Sequence, residues 1–69
     1  MLHKGIRYTY RVISKGPTQL AAEIDAVGNA FQNAGWIECE IIPETGFPAY
    51  IVFEWTQDSK PILPVIPSF

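Results

Sequence analysis

The chain has 69 residues, 48% of them hydrophobic and 17% charged, with nine aromatics and a formal charge of −2. A single domain of this size buries only about 60% of the surface its unfolded form exposes, yet its apolar content is too high for a disordered chain. The negative balance argues against non-specific binding to nucleic acid or a membrane surface, which draws on clustered basic residues.

The first element is "IRYTYRVIS", in which Ile6, Tyr8, Tyr10 and Val12 alternate with Arg7, Thr9 and Arg11. This is the pattern of a half-buried strand with a basic outer face. "KGPT" stops it, and Thr18 is placed to cap a following helix. In "TQLAAEIDAVGNAFQNAG", Leu20, Ile24, Val27, Phe31 and Ala34 form one apolar helical stripe, and Gly35 is placed to end the helix in a left-handed conformation. Gly28, unfavourable inside a helix, suggests close approach of helix to sheet.

"WIECEII" reads as a second strand, with Ile37, Cys39 and Ile41 facing inward and Glu38 and Glu40 facing outward. "PETGFP" is a turn-rich loop, whose Phe47–Pro48 bond the sequence leaves open between cis and trans. "AYIVFEWT" closes the series, with Ile51, Phe53 and Trp55 on one face and Tyr50, Val52 and Glu54 on the other. Being apolar on both sides, this third strand belongs in the middle. The expected fold is therefore α+β: a three-stranded, mainly antiparallel sheet in the order 1-3-2, with one helix on one face. Residues 1–58 form this β-α-β-β domain, and residues 59–69 form an extended apolar tail.

One helix leaves the second sheet face bare, and that face is expected to carry Arg7, Thr9, Arg11, Tyr50, Val52, Glu54, Glu38 and Glu40. Proline fixes φ and removes backbone donors, so "PILPVIPSF" runs extended and needs a surface to lie on. Ile62, Leu63, Val65, Ile66 and Phe69 are expected to be docked rather than exposed together. The short polar turn "TQDSK" favours their crossing to a second subunit or another protein over folding back.

No catalytic, cofactor or metal motif emerges. Cys39 reads as a buried small hydrophobe, His3 lacks an acid–base partner, and one cysteine with one histidine does not make a ligand set. Glu38 and Glu40 have a spacing compatible with paired carboxylates, but nothing supplies a pocket. Trp36, Tyr50 and Trp55 have the better claim to a partner surface, where such aromatics are enriched. The lone cysteine and the absence of a long apolar run at the start lead to an expected cytoplasmic location, in a cell or an infected host.

The "YRV" strand, the helix ending in "AGW", "IECEII" and "YIVFEW" together resemble small bacterial and phage β-α-β-β proteins of unknown function. With these features the leading expectation is a non-catalytic interaction module, a homodimer or a phage- or plasmid-type accessory protein acting on a host protein. Its contact residues would be Arg7, Arg11, Trp36, Tyr50, Val52, Glu54, Ile62, Leu63, Val65, Ile66 and Phe69. Two readings compete with it. One is a small enzyme or ligand-binding subunit completed on oligomerisation, with Glu38, Glu40 and Arg11 lining a shared cleft; the other is nucleic-acid binding through the basic first strand.

Overall fold

The computed structural model describes residues 3–69, so Met1 and Leu2 of the expected domain lie outside the described residues. The elements are β1 (Arg7–Arg11), α1 (Pro17–Ala34), β2 (Trp36–Glu44) and β3 (Phe47–Trp55). The sheet order is β1-β3-β2, with both pairings antiparallel and α1 on one face, as the alternation and the apolar middle strand imply. No helix among the described residues is long and apolar enough to cross a membrane.

The helix begins at Pro17 with Gly16 as the N-cap and no side-chain capping bond, which corrects the expected cap at Thr18. Proline at the first helical position loses only an N–H that would be orphaned anyway, so the cap lies two residues earlier. At the other end Gly35 adopts φ 116°, and its N–H closes the last turn onto the carbonyls of Phe31 and Gln32. A Cβ on Gly35 would stand 3.0 Å from the Trp55 ring, so this position needs glycine both for conformation and for space. Gly28 is different. A Cβ there would meet only Glu38 Oε1, at an ordinary 3.8 Å, so close backbone approach does not explain it.

The core is an aromatic stack at one end of the sheet. Phe31 lies parallel to Phe53 with centroids 4.1 Å apart, Trp36 meets Phe31 and Trp55 edge-on, and Val27 and Ile51 complete the buried set. Leu20 and Ile24, expected to be buried with them, are only half-buried. Trp36 and Trp55, expected on a partner surface, are 3% and 1% exposed and belong to this core. Trp36 follows Gly35 directly, so the left-handed turn feeds it under the end of the helix.

The loop expected between the last two strands is a tight hairpin. Glu44 pairs with Phe47 across Thr45 and Gly46, both at positive φ, as type I′ turns require, and no peptide bond among the described residues is cis. Phe47–Pro48 is therefore trans. β1 pairs with β3 only from Glu54 to Tyr50, so the hairpin tip projects beyond the three-stranded region with Phe47 exposed, while Ile41 and Ile42 are exposed on the outer strand at its base.

The largest departure from the expected pattern lies in β2. Glu38 pairs with Phe53 but Glu40 pairs with Val52, so one extra residue is accommodated at a bulge around Cys39. Directly paired residues share a face. Trp36, Glu38 and Ile41 therefore lie on the helix side, while Ile37, Glu40 and Ile42 lie on the open side. The expected inward positions of Ile37 and Cys39, and the expected outward position of Glu38, are thus overturned, and Cys39 is exposed.

Candidate partner-binding surface

Three strands present the open face in three rows. Arg7, Glu54 and Ile37 form the first, Thr9, Val52 and Glu40 the second, and Arg11, Tyr50 and Ile42 the third. Val52, in the middle, is only 5% exposed because its neighbours on both sides close over it. The β1 rim is basic, whereas the β2 rim carries one carboxylate among aliphatic side chains.

Arg7 Nε lies 3.4 Å from Glu54 Oε1, its directly paired neighbour on β3. Both side chains remain open to solvent, so the pair is worth about 0–1 kcal/mol and chiefly orients Arg7. Among the described residues no carboxylate pairs with Arg11. Cys39 Sγ stands 4.0 Å from Glu54 Oε1 at the bulge.

Glu38 and Glu40 do not share a face, so the paired-carboxylate arrangement and the cleft of Glu38, Glu40 and Arg11 are not assembled in this chain. Glu38 instead borders a groove between β2 and α1 with Ile24, Asp25, Gly28, Asn29 and Gln32.

The proline-rich segment folds back over its own domain, contrary to the expected crossing to another chain. Two core tryptophans hold it: Trp55 Nε1 donates to the Ser59 carbonyl at 2.6 Å, and Trp36 Nε1 donates to the Ile62 carbonyl at 2.8 Å. Thr56 assists by donating its hydroxyl and its N–H to the Gly35 carbonyl. The turn that looked too short for reversal is sufficient because these indole N–H groups reach out from the core. Ile66 packs against the core, but Ile62, Leu63, Val65 and Phe69 are exposed, Val65 at 92%, so the expected docking of all five side chains is corrected: backbone carbonyls, more than side chains, hold the segment.

The residue missed from the sequence is Glu23. It is 0% exposed and accepts hydrogen bonds from Tyr10 Oη at 2.7 Å, Ile13 N at 2.9 Å and Ser14 N at 2.8 Å. Burial opposes its ionisation, but the N–H of Ile13, the Tyr10 hydroxyl and the Ser14 donors outweigh that and hold its carboxyl below the usual range. Tyr10 is pushed up to about 12 by burial, by its bond to Glu23 and by the carboxylate's charge. The constellation ties the end of β1 to the helix, and no buried side-chain polar atom among the described residues lacks a partner. A signal for it was present: Glu23 stands three residues after Leu20 and four before Val27, a carboxylate within the apolar stripe.

No family model, curated protein or solved structure matches this chain.

Proposed function

We propose that the protein is a non-catalytic interaction module that uses the open sheet face, with a second copy of the chain as its partner. The observation that supports this reading is the division of charge across that face, with Arg7 and Arg11 on β1, the single carboxylate of Glu40 on β2, and Tyr50, Val52 and the Arg7-paired Glu54 between. A two-fold axis parallel to the strands would set the β1 rim of each copy over the β2 rim of the other. Arg7 and Arg11 would then flank the partner copy's Glu40, and the middle strands would stack. A two-fold axis across the strands would instead oppose arginine to arginine.

The sheet edges are poorer candidates. β1 pairs over only five residues, and β2 is interrupted by its bulge and by Pro43, devices that discourage edge-to-edge pairing. The accessory-protein version of this reading places a host protein on the same face.

Concentration-dependent NMR shifts test the assignment. The expected result is that amides of Thr9, Tyr50 and Val52 move on dilution while those of Ala26 and Ala30 on the helix do not. Shifts confined to the helix side would refute it.

A further inference from the structure

The proline-rich segment has a threefold period that the domain reads. Pro61, Pro64 and Pro67 recur every third residue, and each fixes its own φ and restricts the residue before it to extended conformations. A polyproline II helix has three residues per turn, so the prolines fall on one edge, Ile62, Val65 and Ser68 on a second, and Leu63, Ile66 and Phe69 on the third. Exposure follows that geometry in part: the whole second edge is exposed, and the three half-buried residues, Pro61, Pro64 and Ile66, all lie on the other two edges, whose remaining members Leu63, Pro67 and Phe69 are exposed.

The receiving surface has the chemistry by which proline-rich segments are recognised. Such a segment has no internal hydrogen bonds, so its carbonyls are free, and an aromatic groove offering indole N–H groups satisfies them while the preformed helix costs little entropy. Trp36 and Trp55 are packed edge-on with centroids 5.1 Å apart, and their two N–H groups grip carbonyls three residues apart, at Ser59 and Ile62. One full turn of the ligand thus separates the two bonds. Beyond them Pro64 and Pro67 run beside the small side chains of Ala26 and Ala30, leaving a shallow groove of about 430 Å³ that they do not fill.

We propose that the Trp36–Trp55 cradle is a recognition site for proline-rich extended segments, occupied in the resting chain by residues 59–69. A segment of another protein with the Pro-x-x-Pro-x-x-Pro period and intervening aliphatic residues would compete for it. The resident segment acts as an intramolecular competitor, so the site is held closed until it is displaced. This surface is separate from the open sheet face and does not depend on the reading given above.

The test uses the full chain carrying Ile66→Asp, which loosens the resident segment, and a fluorescein-labelled peptide of residues 59–69. Fluorescence anisotropy should show the variant binding the peptide about tenfold or more tightly than the wild type, because a tethered ligand competes at an effective concentration in the millimolar range. A peptide with its three prolines replaced by alanine should lose that binding. A second form guards against failure of the variant to fold: the full chain with a protease site in the exposed 57–59 turn, cut after purification. The cut segment should stay associated and exchange for labelled peptide. A folded Ile66→Asp chain that ignores the peptide, or a cut segment that departs without being replaced by it, would overturn the proposal.

Discussion

The two faces of the sheet are built from the same three strands but solve opposite problems. On the helix side the central groups are committed: Phe31, Phe53, Trp36 and Trp55 stack, the tryptophan N–H groups are bonded to the proline-rich segment, and the buried Glu23 is fully satisfied, with Tyr8 and Ile41 left partly exposed at the margins. On the open side the polar groups are loosely engaged, with a solvent-exposed Arg7–Glu54 pair and Arg11 beside Tyr50. One face therefore carries the buried aromatic core, whereas among the paired residues of the other Val52 alone is buried.

The largest effect that would break this contrast is expected in the aromatic stack. Phe53→Ala should cost about 3–5 kcal/mol. Against a total stability of roughly 3–10 kcal/mol for a chain of this length, it should leave the protein largely unfolded in thermal or urea denaturation. A variant with a near-normal transition would mean that the stack is not the core.

Next in size is Glu23→Gln, expected to cost about 2–4 kcal/mol, because hydrogen bonds to a charged acceptor are replaced by weaker ones and one amide group has no acceptor. The pH dependence sharpens the point. Glu23 titrates below its ordinary range when folded, so its stabilisation is present above the unfolded glutamate pKa and is lost as the pH falls through the depressed folded value. Tyr10 titrates at about 12 when folded, so its contribution is intact below about pH 10 and is lost as the pH rises from there towards 12. Thermal midpoints measured across pH should show both losses in the wild type, and the Glu23→Gln variant should lack the acid one.

Two glycines should move stability in opposite directions. Gly35→Ala should destabilise by at least about 1–2 kcal/mol, since alanine is strained at positive φ and its Cβ would press on the Trp55 ring. Gly28→Ala should stabilise by about 1 kcal/mol, since its Cβ meets no closer than ordinary contact and helix propensity improves. Paired urea titrations read both signs.

Much of this was legible from the residues. The strict alternation of β1, the helix stripe and the two-sided apolarity of β3 are local patterns, and local periodicity was enough to give the 1-3-2 order and the positions of Val27, Phe31, Ile51 and Phe53. The β2 assignments failed because a bulge adds one residue without any mark in composition, and "WIECEII" alternates equally well with or without it. Trp36 was misplaced for a related reason, since its side depends on the left-handed turn at Gly35. The path of the proline-rich segment was not legible because it depends on two indole N–H groups, from positions 26 and 4 residues away in sequence, whose directions exist only after the core has formed. Of the candidate contact residues, Arg7, Arg11, Tyr50, Val52 and Glu54 do lie together on one face, since β1 and β3 pair in regular register.

The smallest stability effect belongs to the open face. Arg7→Ala should change unfolding free energy by no more than about 0–1 kcal/mol, as exposed ion pairs do. A larger loss in denaturation would mean that this face, too, is structural.

The role of the open face is tested most directly by sedimentation equilibrium of the wild type and of Arg11→Glu, each at low and high salt, alongside their thermal unfolding. Reversing this charge puts a carboxylate opposite the acidic rim of a second copy, and ionic screening weakens the attraction between the rims. The expected result is a wild-type dimer that loosens with salt, and an Arg11→Glu chain that is monomeric over the same concentrations while unfolding at nearly the same temperature. A wild type that stays monomeric throughout, or a variant that associates as well as the wild type, would contradict it.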